Sequence, residues 1–246
     1  MNIIISGYGR MGREIEKAAQ KHLHKITAKL DTFSDWDNLS AGQMNDAVII
    51  DFSQPDVILQ NIRRAFEMKI PMVTGTTGWD QHREEIKNEC AQSGSTLFFS
   101  SNFSIGMNLF FILNKTLARL MTSFPEYNVE MEEIHHIRKL DKPSGTAITL
   151  AEQITKINPG LSGWIPDVRQ EGKITIHSVR EGEVPGTHQI TYAGPADEIR
   201  ILHRAKNRTG FAEGAIKAAQ WLEGRSGYFE MEDMLKEELQ GTIELF

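Results

Sequence analysis

Three features of the sequence predict an α/β protein built in two parts. Strands alternate with helices through the N-terminal part, a glycine-rich turn joins the first strand to the first helix, and a later run of strands lacks intervening helices. The expectation is a doubly wound parallel sheet over residues 1–104 and 209–246. An α+β domain with a mixed or antiparallel sheet is expected over residues 105–208.

The elements follow in order. Ile3-Ile4-Ile5 is a β-branched run suited to a strand buried on both faces. Gly7-Tyr8-Gly9-Arg10-Met11-Gly12 follows at once, and Arg13–Leu23 reads as an amphipathic helix. Strand, G-x-G-x-x-G and helix in this order form the context of a dinucleotide fingerprint, and hence of a Rossmann-type domain. Gly7 permits the turn, Gly9 lets a pyrophosphate approach the backbone, and Gly12 lets helix and strand pack closely. Arg10 or Arg13 adds positive charge. A second strand, Lys25–Leu30, ends at Asp31, which is placed to bond ribose hydroxyls and to repel a 2′-phosphate. That favours NAD, although Lys29 lies near enough to blur the preference.

Ala47–Phe52 reads as a third strand, with Ser53-Gln-Pro-Asp56 capping a helix that runs to about Met68. Pro71–Thr74 is a fourth strand, and Gly75-Thr76-Thr77-Gly78 after it suits either a nucleotide-lining loop or an ordinary connection. Asp80–Gln92 reads as a charged surface helix, and Thr96–Phe99 as a fifth strand. Ser100-Ser101-Asn102-Phe103-Ser104 brings more small polar groups to a strand end. Ile105–Phe124 is a long apolar helix, and Tyr127–Ile134 alternates like a strand. Thr146–Ile157 reads as a helix, Asn158–Asp167 as a loop, and Lys173–Val179, His188–Ala193 and Glu198–His203 as strands. Ala212–Leu222 and Met231–Leu235 read as helices that return to the first domain, with Gly227-Tyr-Phe between them.

Between the strand Tyr127–Ile134 and the helix from Thr146 lies the polar run Glu133-Ile-His-His-Ile-Arg-Lys-Leu-Asp-Lys-Pro-Ser-Gly-Thr146. His135 and Lys139 are both able to hand a proton to a substrate. The hydroxyls and backbone N–H groups of Ser144-Gly145-Thr146, at a helix start, make a cradle for a carboxylate. The same residues also fit a solvated turn, and it is the cofactor fingerprint that tips the reading toward an enzyme acting on a small acidic molecule.

Bulk properties bound the rest. A formal charge of −6 over 246 residues offers no excess of cations for nucleic acid. No apolar run reaches bilayer length, and Met1-Asn-Ile-Ile-Ile enters the first motif without a basic leader, so a cytoplasmic protein without membrane attachment is expected. The single Cys90 excludes an intrachain disulfide and a cysteine-based zinc site, and is read as structural. Adjacent His135 and His136 do not readily share a metal, so none is expected.

The run Glu133, His135, His136, Lys139, Asp141, Pro143, Ser144, Gly145, Thr146, Ala147 resembles the signature E-x-H-H-x-x-K-x-D-x-P-S-G-T-A of the 4-hydroxy-tetrahydrodipicolinate (dihydrodipicolinate) reductases of bacterial lysine biosynthesis. The similarity extends through the glycine fingerprint, Gly75-Thr-Thr-Gly, Asn102-Phe-Ser-x-Gly106 and the region Arg208–Phe229. The resemblance implies that His135 and Lys139 are the proton-handling pair, and that His136, Ser144, Gly145 and Thr146 bind a cyclic dicarboxylate. It also implies that Gly7 to Gly12, Asp31, Gly75 to Thr77 and Ser100 to Phe103 contact NADH or NADPH. A homotetramer assembled through the second domain is implied as well. Two departures stand out: the glycine loop is a residue shorter than in many members, and Thr32 and Lys142 occupy positions where Arg and Ala are common.

A semialdehyde dehydrogenase would want a nucleophilic cysteine near the polar run. An NAD(H)-sensing regulator would need no clustered proton donors.

Overall fold

The structure is a computed structural model in which residues 1–207 and 209–240 are described. Arg208, the expected domain boundary and the start of the C-terminal region of resemblance, lies outside the described residues, as do residues 241–246. In chain order the elements are β1 (Asn2–Ser6), α1 (Arg10–Lys21), β2 (Lys25–Leu30), α2 (Phe33–Asp37), α3 (Ala41–Met44), β3 (Ala47–Asp51) and α4 (Ile58–Glu67). Then come β4 (Met72–Thr74), α5 (Arg83–Ser93), β5 (Thr96–Phe99), α6 (Ile105–Met121), β6 (Asn128–His135), α7 (Gly145–Ile157) and β7 (Trp164–Pro166). The chain finishes with β8 (Ile174–Arg180), β9 (Thr187–Ala193), β10 (Glu198–Arg204), α8 (Thr209–Trp221), β11 (Gly227–Glu230) and α9 (Met231–Glu238). They form two compact units, Met1–Ile105 with Thr209–Phe246, and Gly106–Arg208.

In the first unit six parallel strands run in the order β11-β5-β4-β3-β1-β2. Ile3, Ile4 and Ile5 are fully buried, as are Ile49, Ile50, Met72, Val73, Leu97 and Phe98. Such continuous burial is what a parallel sheet covered on both faces requires. Because β1 lies between β2 and β3, the chain order reverses there, and the loops after β1 and β3 flank a topological switch point.

The second unit holds a mixed sheet in the order β10-β9-β6-β8-β7. The β10/β9 and β9/β6 pairs are antiparallel, whereas β6/β8 and β8/β7 are parallel. One face carries Met131, Ile176, Ile190 and Tyr192 against Met107 and Phe110 of α6 and Leu150 and Ile154 of α7. The other, reached by the two-residue alternation of the strands, presents Val179 and Leu202 to solvent. Among the described residues no helix is long and apolar enough to cross a membrane.

Several local expectations are corrected. Helix α1 begins at Arg10, directly after Gly9, and not at Arg13. Ser53 and Asp56 do not cap α4, which starts at Ile58 with no acidic residue in its first turn. Ser53 instead turns its hydroxyl back to Asp51. The stretch after Asp31 contains α2 and α3, started by capping boxes at Thr32 with Asp35 and at Ser40 with Gln43. The loop expected over Asn158–Asp167 contains β7. Cys90, on the helix that reads as a charged surface element, is fully buried, and burial pushes its thiol pKa up.

Candidate active site

Strand β6 ends on the polar run, and its alternation puts Glu133 and His135 on the helix-covered face with Met131. Register places Ser178 of β8 and His188 of β9 on either side of Glu133, and Arg180 of β8 beside His135. His203 of β10 stands opposite His188. Sheet pairing thus gathers onto one surface polar groups that are far apart in sequence.

Glu133 is the centre of this surface and is 1% exposed. One carboxylate oxygen accepts from Nη2 of Arg180 at 2.9 Å and from the backbone N–H of Ser144 at 3.1 Å. The other lies 2.8 Å from Nδ1 of His135, a close ion-pair contact without the alignment of a hydrogen bond. Burial alone would raise the Glu133 pKa, yet the contacts with His135, Ser144 and Arg180 hold it well below the usual carboxylate range. Glu133 is therefore an anion, set beside one nitrogen of the imidazole.

At the opposite edge of that ring the chain leaves room. A Cβ on Gly186 would stand 3.1 Å from Nε2 of His135. The ring of His188 packs edge-on to that of His135, with centroids 5.2 Å apart and planes at 67°. His188 is 5% exposed, and burial followed by the neighbouring His135 pushes its pKa down to about 3.

Lys139 sits in the loop beyond β6, with its Nζ 2.8 Å from Asp141, whose carboxyl pKa it lowers. Arg180 shapes this loop by donating from Nε to the carbonyl of Lys139 at 3.1 Å and from Nη2 to that of Asp141. His136 is half-buried, and its carbonyl accepts from the Lys139 N–H.

Ser144 has structural contacts of its own and keeps its O–H as a donor. Its N–H is spent on Glu133, its hydroxyl caps α7 by accepting from Ala147 N–H at 3.3 Å, and the residue is buried. Gly145 and Thr146 form the first turn of α7, where backbone N–H groups lack intrahelical acceptors. Gly145 is exposed, and a Cβ there would meet nothing within 4 Å.

The first unit has its own candidate site at the switch point. A cavity of about 410 Å³ is lined by Gly7, Tyr8, Gly9, Asp31, Phe52 and Ser53 among others. Gly7 has φ +83°, and a Cβ there would strike the Phe52 carbonyl at 2.5 Å. A Cβ on Gly12 would lie 2.4 Å from the Gly7 carbonyl oxygen, whereas Gly9 faces open space. Turn, close packing and open approach are thus divided among the three glycines, as a pyrophosphate cradle requires. The free N–H groups at the start of α1 complete an anion site.

Asp31 is exposed and accepts the Tyr8 N–H at 2.6 Å. Nζ of Lys29 is 2.8 Å from Glu16 and lies over the Tyr8 ring. Arg10 is exposed, and Met11 is half-buried at the first turn of α1.

Beneath these loops Asp51, fully buried, accepts from the hydroxyls of Ser6, Ser53, Thr74 and Thr76 and from the Asn61 amide. The Thr76 hydroxyl is therefore committed inward. Gly75 leaves room for Phe52, whose ring a Cβ would approach to 2.2 Å, and Thr77 is exposed. Ser100 donates its hydroxyl to the Asn102 carbonyl, Ser101 is exposed, and the Asn102 side chain accepts from Ser104 N–H. The Phe103 ring is core, packed with Phe52 and Phe98.

Arg180, Gly186 and His188 escape a reading by sequence alone. Arg180 and His188 lie on other strands and Gly186 directly precedes β9, so only the placement of β8 and β9 against β6 carries the signal.

Residues 1–103 match the family model "Dihydrodipicolinate reductase, N-terminus", and residues 106–235 match "Dihydrodipicolinate reductase, C-terminus". The chain is 46% identical over 237 residues to a 4-hydroxy-tetrahydrodipicolinate reductase of Christiangramia forsetii, covering 96% of this chain and 98% of that one. It is 37% identical over 242 residues to one of Rickettsia rickettsii, covering 96% and 99%. Among solved structures, a dipicolinate-bound dihydrodipicolinate reductase from Paenisporosarcina sp. TG-14 shares the fold. Its TM-score is 0.73 at 22% identity, with 94% of this chain and 97% of that one covered.

Proposed function

The chain belongs to the dihydrodipicolinate reductase family, and from that premise we propose that His135 and Lys139 handle protons while Gly145 and Thr146 hold a substrate carboxylate. It is an NAD(P)H-dependent oxidoreductase that performs the reduction step of lysine and diaminopimelate biosynthesis. The substrate is 4-hydroxy-tetrahydrodipicolinate, which gains one hydride and one proton and loses its hydroxyl as water. The observation that carries the residue assignment is the Glu133 carboxylate at 2.8 Å from Nδ1 of His135.

That contact places Nδ1 beside the buried carboxylate and leaves Nε2 on the side where Gly186 carries no side chain. An imidazolium forming there is stabilised by the buried anion. Lys139 supplies a second donor from the adjoining loop, and its bond to Asp141 gives Asp141 a role in holding the amine. The amino-terminal turn of α7 presents N–H groups at Gly145 and Thr146 to one carboxylate, and His136 supplies a further polar contact. Ser144 supports this cradle from below through Glu133 and the cap.

The nicotinamide, when bound, supplies the hydride. The residues that hold its nucleotide are the Gly7–Gly12 loop, with Tyr8, Arg10 and Met11, and the ribose-facing Asp31. The loops at Gly75–Thr77 and Ser100–Phe103 add backbone and hydroxyl contacts. NADH is preferred over NADPH, because a 2′-phosphate would meet Asp31 and Asp35, while Lys29 is already paired with Glu16. The residues around Gly7–Gly12 and Asp31 form the dinucleotide-binding part, and those of the mixed sheet the substrate-binding part. Exposed Val179 and Leu202 on the sheet's second face support assembly into a homotetramer there.

Enzymatically generated hydroxy-tetrahydrodipicolinate, mixed with the protein and either cofactor, tests this directly. Loss of the reduced-nicotinamide absorbance is expected with both cofactors and is faster with NADH. Faster turnover with NADPH removes the Asp31 argument, and no oxidation with either removes the reaction.

A further inference from the structure

We propose that His188 is a positioning residue for His135, supplying the buried wall that fixes where the proton-donating Nε2 points. The proposal rests on the reading of His135 as the proton donor. Glu133 touches only Nδ1, and the torsion that spins an imidazole about its Cβ–Cγ bond is broad. That contact is not an aligned hydrogen bond, so by itself it leaves the direction of Nε2 loosely set. The His188 ring, edge-on at 5.2 Å and 67°, closes off the swing that Glu133 permits.

The backbone makes this wall rigid. His188 is in register with Glu133 on one side and with His203 on the other, within the antiparallel part of the sheet. The groups facing it are Glu133 and His135 from β6 and His203 from β10, with Lys139 contributing from the loop beyond β6. Burial keeps the His188 ring neutral through the physiological range, so it does not oppose a positive charge arriving on His135. Its Nδ1 is buried without a hydrogen-bond partner. The ring, and not that nitrogen, is what the site uses.

The test compares His135→Ala, His188→Ala and His188→Phe in steady-state assays with the natural substrate, alongside thermal unfolding. His188→Ala is expected to lower kcat roughly 10- to 100-fold, the scale of a small misplacement of a reacting group, with KM changed less than about threefold. Its solvent deuterium isotope effect on kcat rises as proton transfer becomes limiting. His188→Phe restores the wall and returns kcat to within about threefold of the starting protein. The proposal is overturned if folded His188→Ala keeps its kcat, or if folded His188→Phe is as slow as His188→Ala. Should His188→Ala fail to fold, the Phe variant decides. Normal turnover by His135→Ala would instead overturn the assignment of the proton donor itself, whatever the His188 variants do.

Discussion

The carboxylate of Glu133 stands between two basic side chains, with one oxygen 2.9 Å from the Arg180 guanidinium and the other 2.8 Å from Nδ1 of His135. The single side chain therefore anchors the loop around Lys139, through Arg180, and the proton-handling ring itself. Glu133→Gln removes the charge with little change of shape. It leaves Arg180, whose side chain is 8% exposed, as an uncompensated buried cation. A loss of roughly 3–5 kcal/mol in unfolding free energy is expected, along with a fall in kcat of at least about tenfold. Urea unfolding and steady-state assays at saturating substrate measure the two effects. A folded variant with unchanged kcat would show that the carboxylate does not orient His135.

His135→Ala and Lys139→Ala are each expected to lower kcat by roughly 10²–10⁴, with binding of NADH unchanged by fluorescence titration. Asp141→Asn is a milder change. Its side chain is half exposed and its pair with Lys139 is solvated, so stability should move by less than about 1 kcal/mol. Equal turnover by the Lys139 variant and the starting protein would leave His135 as sole donor.

Gly186→Ala tests access to Nε2, with thermal unfolding measured alongside because φ +157° at Gly186 strains any added side chain. The new methyl would lie 3.1 Å from Nε2 and 3.4 Å from Cδ2 of His135, so the ring must yield or the donor is covered. A fall in kcat of about tenfold or more is expected, consistent with a displaced reacting group. Unimpaired turnover would mean that the proton leaves by another path.

Stability should fall on the acid side in two stages. His188 is pushed down by burial and His135, and His203 by burial, so both bind protons more readily in the unfolded chain. Their contribution is complete above the usual histidine value of about 6.5. That of His188 is lost progressively as pH falls toward about 3. Glu133, held low by its partners, adds a second loss below the ordinary glutamate range. Melting temperatures between pH 8 and pH 4 should therefore decline, and His188→Phe should flatten the upper part of the curve. An identical slope in that variant would assign the loss to other groups.

Parts of this were legible in the sequence because they are local. Lys25–Leu30 spans the same residues as β2, and the turn at Gly7, the open space at Gly9 and the tight packing at Gly12 fall where the spacing of the glycines puts them. The Glu133–Ala147 run is contiguous, so the family resemblance it carries is visible in one stretch. The failures are of two kinds. Short elements such as α2, α3 and β7 carry too few residues for a period to show. Ser53 and Asp56 offered capping chemistry, but Asp51 below them competes for the serine hydroxyl, and the helix starts later. The partners of His135 were hidden for a further reason. Arg180 and His188 reach it through strand register, and Gly186 through the turn that leads into β9, which no local pattern records.

Asp51 has a consequence for how fast a nucleotide is captured. Its bonds to Ser6, Ser53, Thr74, Thr76 and Asn61 tie together the ends of three neighbouring strands and the start of α4 before any ligand arrives. Loops already held in one arrangement forfeit little freedom when they close on a dinucleotide. Capture should therefore proceed in a single kinetic phase whose rate rises linearly with nucleotide concentration, with no slow ordering step behind it.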